Sequence, residues 1–502
     1  MGTDKDSGPA KRQSFGLSHW MERVLDEVDG ARRDLAADPV HDLRVALRRC
    51  RSMAEGFMAI DPDKTWKAMQ KEGRQLFRRL GRLRDVQVLE EWAARLGERA
   101  DPVAGAILLH LGQSEQEQKR AAVEALQAFN ADKWRGWIGP LQARARRLPV
   151  GGAVFQLSAL QAWNEAHGLH KQALRNRSAA AFHRLRIGIK RFRYTVENFL
   201  PLLHDLWGRD LKEMQDCLGE AHDLVMFWQT ALRIRAFPDP ESRERWRALI
   251  AAEKTKRLDH YRAKMAGSHS LWNDWREGLP PQERLAPVSL RMIEKWACFH
   301  GIDLVRARRV RRLAMQLFNG LWPGRQADIK DRRAVLHFAA ILHEMGRGKR
   351  GKAGGRSAAG LLPRLPSAPG FTAESLSRAA MVIQGHRGRF RGFEGAHYDA
   401  LSEAERRDVM ELCGILRLAR ALSRDRKQVI GSLRVEQAGD SIIIYAAGFS
   451  EFGSLAEKAA RARYLLECAC RRPVILRSDP AVQSAGEPDD SPTGPAEPAP
   501  AV

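Results

Sequence analysis

The feature that most constrains this chain is a pattern of basic residues that fits one face of an α-helix and occurs twice. In the first copy, the basic side chains follow the spacing i, i+3, i+7 and i+10 as His41, Arg44, Arg48 and Arg51. At about 100° per residue, this spacing keeps them within an arc of about 80° along about 15 Å of helix. Apolar residues, among them Leu43, Leu47 and Phe57, fall on the opposite side. The pattern therefore predicts an amphipathic helix with one buried face and one cationic face.

The second copy of the pattern lies further along the chain and has the same spacing. Its basic members are His183, Arg186, Lys190 and Arg193. A Leu-Gly-x-x-x-Asp segment follows each copy, at Leu80–Asp85 and at Leu218–Asp223. Because glycine commonly interrupts helices, we predict that each half consists of a basic helix, a second helix, and a third helix that this segment opens.

A third row of cations lies between the two copies. It consists of Lys64, Lys67, Lys71, Arg74 and Arg78, at steps of three and four residues. A single row of this kind is commonly a solvated helix face. Repeated rows of like charge repel one another along a helix, so their repetition predicts an anion facing them. Arginine forks bind phosphate oxygens in pairs.

The first residue of each copy is a histidine, and two interpretations of this position stay open. His41 and His183 serve either as switchable cations toward phosphate or as local hydrogen-bonding groups at a helix end.

The charge balance points to a polyanionic partner. The 502 residues carry a formal net charge of +23, which fits nucleic acid, an acidic membrane surface or polymeric phosphate. Proteins that bind single-stranded nucleic acid usually offer aromatic rings for base stacking, and Tyr194 is the only such ring near the rows. The pattern therefore favours a phosphate polymer, with nucleic acid as the less favoured alternative.

Compartment and domain organisation follow from composition. The chain has no apolar run long enough to span a membrane, no amino-terminal signal pattern, and six scattered cysteines without a CxxC pair, which predicts a cytoplasmic protein with reduced thiols. We expect a mainly α chain. The expected segments are a disordered tail over 1–16, a helical domain over 17–280 with halves 17–148 and 153–280, a second helical domain over 288–478 that ends in a small ββαβ unit, and a disordered tail over 479–502.

The doubled HxxR-x₃-[RK]-x₂-R helix, each copy followed by Leu-Gly-x-x-x-Asp, resembles the CHAD (conserved histidine α-helical) domain family over residues 17–280. The resemblance implies a pseudo-symmetric pair of helical bundles around a basic channel, binding of inorganic polyphosphate and recruitment to polyphosphate granules. The polyphosphate-binding residues that it implies are His41, Arg44, Arg48, Arg51, His183, Arg186, Lys190 and Arg193, with Lys71, Arg74 and Arg78 as a third wall.

Residues 288–478 resemble the carboxyl-terminal, HD-type helical region of the exopolyphosphatase/guanosine pentaphosphate phosphatase family. The stretches that carry the resemblance are 306–318, 339–346, 370–372, 385–387 and 415–422. No segment of this sequence resembles the actin-like domain in which that family's phosphatase chemistry lies.

The metal ligands of HD phosphohydrolases are largely replaced in this segment. That family uses a His, a His-Asp pair and a distant Asp, and the corresponding positions here are Arg306, His343-Glu344 and Arg420. Guanidinium groups repel divalent cations rather than bind them. We therefore predict no metal, no other cofactor and a catalytically degenerate accessory domain. Arg306, His343 and Arg420 then form either a candidate second anion site or a scaffold without a ligand.

One further segment, Gly346–Ala353, nearly matches the phosphate-binding pattern GxxxxGK[ST]. Ala353 supplies no hydroxyl for Mg²⁺ and the preceding segment reads as helix, so we interpret it as a flexible basic loop.

Neither GxSxG nor HExxH occurs in the chain. The sequence thus favours a non-catalytic polyphosphate-binding protein. The alternatives are a phosphohydrolase acting on polyphosphate or a phosphorylated nucleotide, and a nucleic-acid binder.

Overall fold

The computed structural model describes residues 16–98, 101–324, 327–345, 365, 367–387, 396–424 and 429–479. Outside these residues lie 1–15 of the tail predicted over 1–16, 480–502 of the tail predicted over 479–502, and the predicted loop over 346–353. The chain divides into two compact units, Met1–Lys295 and Trp296–Val502. Among the described helices, none has the length and apolar content that crossing a bilayer requires.

The first unit is built from long helices. They are α1 (Leu17–Arg33), α2 (Ala37–Met58), α3 (Lys64–Leu96), α4 (Pro102–Ala128), α5 (Ala131–Ala145), α6 (Ala153–Asn176), α7 (Ala179–Phe199), α8 (Pro201–Arg233), α9 (Pro240–Met265), α10 (Leu271–Glu277) and α11 (Leu285–Phe299), within which the division between the units falls. Consecutive helices pack in pairs, α1 on α2, α3 on α4, α6 on α7 and α8 on α9. Helices α2 and α7 pack on each other and join the two halves.

Local sequence signals explain where several helices begin. The carboxylate of Asp63 accepts a hydrogen bond from the Thr65 backbone N–H, and Ser178 accepts one from the Ala181 N–H. Asp101 accepts hydrogen bonds at the start of α4, where Pro102 occupies the first turn. Such caps satisfy N–H groups that a helix leaves without an internal partner.

The prediction that the Leu-Gly-x-x-x-Asp segments open new helices is wrong. Gly81 and Gly219 lie inside the continuous helices α3 and α8. A Cβ atom at Gly81 would lie 2.7 Å from Nη1 of Arg44, whereas one at Gly219 would lie 3.7 Å from Nε of Arg186. Glycine in a helix interior costs about 1 kcal/mol relative to alanine. Arg44 explains the glycine at position 81, because its guanidinium occupies the space that a Cβ atom would need.

The seam between α2 and α7 fixes how the two basic helices meet. Arg49 forms an ion pair with Glu197 and donates a 2.9 Å hydrogen bond to Oδ1 of Asn198. Next to this contact, a Cβ atom at Gly56 would lie 2.5 Å from the ring of Phe199. The absence of a side chain at Gly56 therefore lets the two helices approach each other closely.

The second unit is helical and ends in a small sheet, as predicted. Its elements are α12 (Leu304–Leu321), α13 (Ala327–Leu342), α14 (Ala373–Gly385), α15 (Ala396–Asp399), α16 (Glu403–Leu422), β1 (Leu433–Ala438), β2 (Ser441–Ala446), α17 (Ser454–Cys470) and β3 (Val474–Ser478). Strand β2 lies between β1, with which it pairs antiparallel, and β3, with which it pairs parallel. Ile442, Ile444 and Ala446 of β2 are buried. The predicted fold class, mainly α with a terminal ββαβ unit, is confirmed.

Candidate functional site

The basic rows of α2 and α7 face the same space. Burial, and after it the charges of nearby guanidinium groups, together lower the pKa of Lys190 on α7 to about 7. These guanidiniums belong to Arg44, Arg48 and Arg51 on α2 and to Arg186 on α7. Because charges interact strongly only over short distances in water, this set of neighbours places the two rows side by side around Lys190.

A cavity of about 600 Å³ lies between these helices, within the range of roughly 300–1,000 Å³ common for ligand pockets. Its cationic lining consists of Arg48, Arg51, Arg186, Lys190 and Arg191. Its neutral lining includes Ser52, Ser158, Gln161, Thr195, Phe77 and Ile187. We call this space the channel. It offers positive charge and hydroxyl or amide groups, which together suit an extended anion.

Tyr194 lies at the centre of the cationic wall. Its ring centroid is 5.3 Å from Cζ of Arg48, 5.9 Å from Nζ of Lys190 and 5.7 Å from Cζ of Arg193. The side chain is only 7% exposed, and burial raises the pKa of its hydroxyl. Cations over an aromatic face are attracted by the ring quadrupole. The ring therefore organises the basic side chains and leaves no open face for a nucleic-acid base.

Arg44 is held against α3 by contacts with Phe77, a residue that lines the channel. Its Nη1 donates a 3.2 Å hydrogen bond to the carbonyl oxygen of Phe77, and its Cζ lies 5.0 Å from the centroid of the Phe77 ring. Burial lowers the pKa of Arg44 and of Arg48. Arg44 keeps its charge nevertheless, because a guanidinium group is not deprotonated in proteins.

Two carboxylates that the sequence analysis did not assign to the site lie near the cations. Asp85 and Asp223 end the two Leu-Gly-x-x-x-Asp segments, one turn after the glycine. Enclosure by protein raises the pKa of Asp85, while Arg44, Arg186 and Lys190 act to lower it. Burial raises the pKa of Asp223 to about 6, with Arg186 opposing the shift and Asp85 adding to it. The spacing of four residues from each glycine was the signal in the sequence that could have identified these acids.

The two histidines that open the basic patterns do not line the channel cavity. The pKa of His41 is lowered by partial burial and by the charges of Arg84 and Arg48. The ring of His183 lies 4.4 Å from the ring of His222, whose pKa burial and Arg186 lower to about 4. A separate cavity of about 40 Å³ adjoins this imidazole pair.

The outer members of the rows have acidic partners. Nε of Arg51 lies 3.0 Å from Oε1 of Glu55, and Nε of Arg193 lies 3.7 Å from Oε2 of Glu197. Arg51 still lines the channel, and its side chain is 57% exposed. Arg193 does not line the cavity and instead contacts the seam between α2 and α7.

The third row is only partly brought to this region. Arg74 lines a cavity of about 110 Å³ together with Arg51, Glu55 and Trp134. Lys71 and Arg78 are exposed on α3 and line neither this cavity nor the channel.

In the second unit, the residues predicted as a second anion site lie together. Arg306 and Arg420 are both close enough to the imidazole of His343 to lower its pKa, after burial, to about 4. Nη1 of Arg306 also lies 3.1 Å from Oε1 of Glu344. No group of three or more His, Cys, Asp or Glu in the described part of the chain is arranged to hold a metal ion. Arg306 and Arg420 stand where HD phosphohydrolases have metal ligands, and guanidinium groups repel a divalent cation. For this reason the residues present do not fit the metal of an HD phosphohydrolase.

Comparisons with known proteins assign both segments. Residues 17–232 match the model of the CHAD domain, and residues 288–446 match the model of the Ppx/GppA phosphatase, domain III. A solved structure, the CHAD domain from the plant Ricinus communis, is similar over 51% of this chain and 96% of that chain, with 23% sequence identity and a TM-score of 0.39. The comparison with curated proteins gave no match.

Proposed function

Since this chain carries a CHAD domain at residues 17–232 and a Ppx/GppA domain III at residues 288–446, we propose that it binds inorganic polyphosphate in the channel. Both families suggest a function related to polyphosphate. The observation that carries the proposal is the convergence of Arg44, Arg48, Arg51 and Arg186 on Lys190 around one cavity.

The chemistry of the channel matches a linear phosphate polymer. Polyphosphate offers only charged oxygens along its length, and guanidinium groups bind such oxygens through charge-assisted hydrogen bonds. Binding that depends on cations and a polyanion releases counterions and weakens steeply with added salt. The rings of Tyr194 and Phe77 already have cations over their faces, which disfavours base stacking and hence single-stranded nucleic acid.

Different residues have different parts in this proposal. Direct contact with phosphate falls to residues that line the channel: Arg48, Arg51, Arg186 and Lys190. Arg44, which donates a hydrogen bond to the carbonyl oxygen of Phe77, supplies fixed positive charge near the channel. The remaining predicted lysines and arginines, which do not line the channel cavity, add to the positive potential around it: Lys71, Arg74, Arg78 and Arg193. His41 and His183 do not line the cavity either. In a cell that stores polyphosphate, this site would recruit the protein to the granules.

The test compares binding of long-chain polyphosphate to the wild type and to an Arg48→Gln/Arg186→Gln double variant. The matched control is Arg135→Gln/Arg247→Gln, which removes two charges from exposed surface ion pairs. Hydrogen bonds to charged groups contribute about 1.5–3 kcal/mol each. We therefore expect the channel variant to bind at least about ten-fold more weakly, and the control to bind like the wild type.

Two further arms separate the alternatives. Circular dichroism must show that both double variants keep the helical content of the wild type. If RNA displaced polyphosphate at equal phosphate concentration and salt, the nucleic-acid function would be favoured instead. Release of phosphate that depends on a divalent cation would indicate a hydrolase. Equal loss of binding in both double variants would mean that net charge alone attracts the polymer.

A further inference from the structure

The imidazole of His343 in the second unit is buried and presents a hydrogen-bond acceptor. The residue is 0% exposed, and its Nδ1 lies 2.8 Å from the carbonyl oxygen of Ala340. Since a carbonyl oxygen can only accept, Nδ1 carries the proton and Nε2 presents a lone pair. No group in the described part of the chain donates a hydrogen bond to Nε2. Buried polar atoms are almost always satisfied, so this lone pair points to a missing partner.

Cationic side chains surround this imidazole. Arg306, Arg387 and Arg420 are all close enough to His343 to oppose its protonation. Arg387 donates a hydrogen bond to the backbone carbonyl of His343, and its Nε donates a 3.2 Å hydrogen bond to Nε2 of His386. Arg387 is thus tied to both His343 and His386 and holds a fixed positive charge beside them.

One carboxylate belongs to the same cluster. Oε1 of Glu344 lies 3.1 Å from Nη1 of Arg306 and 3.9 Å from Nε2 of His343. The Arg306 side chain is 27% exposed, so the cluster can be reached from solvent on that side. We call Arg306, His343, Glu344, Arg387 and Arg420 the arginine cluster. It presents guanidinium groups together with one acceptor that has no donor among the described residues, Nε2 of His343, while Oε1 of Glu344 is paired with Arg306.

This combination selects a particular kind of anion. A metal ion would be repelled by three guanidiniums, whereas a fully deprotonated oxyanion would leave Nε2 of His343 facing one of its own oxygens. Hydrogen phosphate and a singly protonated phosphomonoester accept hydrogen bonds through their oxygens and donate one through their P–OH group. Sulfate, by contrast, has no hydroxyl near neutral pH.

We propose that the arginine cluster binds a protonated terminal phosphate group, as free phosphate or as a monoester, with its P–OH directed at Nε2 of His343. The guanidiniums would hold the remaining oxygens. The site would therefore distinguish phosphate from sulfate, an anion of similar size and charge. It is separate from the polyphosphate channel, and it replaces the metal site of HD phosphohydrolases with an anion site.

The experiment titrates inorganic phosphate, phenyl phosphate and sulfate into the full chain at pH 7 by calorimetry. The protein carries Arg48→Gln/Arg186→Gln, so that the channel contributes little. We expect phosphate to bind at least ten-fold more tightly than sulfate. Phenyl phosphate reports whether a monoester is also accepted. Arg306→Gln should weaken phosphate at least ten-fold, while Arg308→Gln, an exposed position on the same helix, should not.

A second readout identifies the residue. In protein labelled with ¹⁵N-histidine, phosphate should shift the Nε2 resonance of His343, assigned by its loss in His343→Gln, and sulfate should not. Glu344→Gln should improve sulfate binding and reduce the discrimination, and this arm remains informative if Arg306→Gln fails to fold. Equal affinity for the two anions, an unchanged His343 resonance, or a response to Mn²⁺ in place of phosphate would each overturn the proposal. None of these results would affect the polyphosphate measurement.

Discussion

At the scale of a single residue, the surroundings of Lys190 in the channel change the pKa of its ammonium group. Its ammonium lies among four guanidiniums, and burial and their charges bring its pKa down from 10.5 to about 7. In the free protein, Lys190 therefore loses much of its charge as the pH rises above 7. A bound polyanion would offset the neighbouring cations and return the pKa toward its ordinary value.

This coupling predicts a pH dependence of binding. Because binding favours the protonated lysine, polyphosphate affinity should be highest below pH 7 and should fall as the pH rises through about 7 toward 9. In Lys190→Arg the charge persists over the whole range, so the decrease between pH 7 and 9 should shrink by several-fold. The measurement is polyphosphate affinity at pH 6, 7, 8 and 9 at constant ionic strength.

Asp223 adds a second pH dependence of binding, below pH 7, to the one expected for Lys190. Its pKa of about 6 means that the carboxylate becomes charged as the pH rises from 5 to 7 and then opposes an anion in the channel. Lys190→Arg should therefore keep a residual dependence below pH 7. If the polyphosphate affinity of Lys190→Arg fell above pH 7 as steeply as that of the wild type, the assigned role of Lys190 would be contradicted.

At the scale of elements, α3 and α8 carry the same motif with different packing. Gly81 leaves room for the guanidinium of Arg44, since a Cβ atom there would lie 2.7 Å from Nη1. At Gly219 the corresponding distance, to Nε of Arg186, is an ordinary 3.7 Å contact. The two halves are therefore pseudo-symmetric in sequence but not equivalent in the constraint on their glycine.

We predict different outcomes for the same substitution at these two positions. Gly81→Ala should move the guanidinium of Arg44 away from the carbonyl of Phe77 and weaken polyphosphate binding by about three-fold to ten-fold, less than the loss of two direct charge-assisted contacts. Gly219→Ala should leave binding unchanged and increase the free energy of unfolding by up to about 1 kcal/mol, because alanine favours helix. Binding titrations and urea unfolding measure the two effects. Equal effects on binding would show that Arg44 adapts freely.

The seam between α2 and α7 explains why the rows face one space. Arg49, Glu197 and Asn198 tie the helices together on one side, and Gly56 receives the ring of Phe199. These residues fix the rotation of each helix about its axis, and with it the direction of each basic row. Arg193 also contacts Glu197 in this seam, and its side chain does not line the cavity.

For the whole molecule, the division into two compact units separates two anion-binding proposals. We predict that polyphosphate protects backbone amides of α2, α3 and α7 from hydrogen exchange in the full chain, with little change over residues 304–321 and 403–422. The physical reason is that the converging cations of the channel all belong to the first unit. Exchange followed by mass spectrometry with and without polyphosphate makes the comparison. Protection of similar size in both units would show that the polymer also occupies the second.

The sequence by itself determined the fold class, the existence of the two basic helices and the composition of their basic rows. These are local properties, because amphipathic periodicity and capping residues act over a few neighbouring positions. Periodicity also predicted the ββαβ end, at Leu433–Ser478. The helix break predicted at Gly81 was wrong, since α3 continues through this residue, and the contact that explains the glycine comes from Arg44 in a different helix.

Only the tertiary structure decided what the rows face. It directed Asp85 and Asp223 toward the cations, paired His183 with His222, and left Lys71 and Arg78 away from the channel. It also left Nε2 of His343 without a donor among the described residues. Each of these results depends on contacts between residues far apart in the chain. The rotation and approach of packed helices set such contacts, and the spacing of residues within one helix does not contain that information.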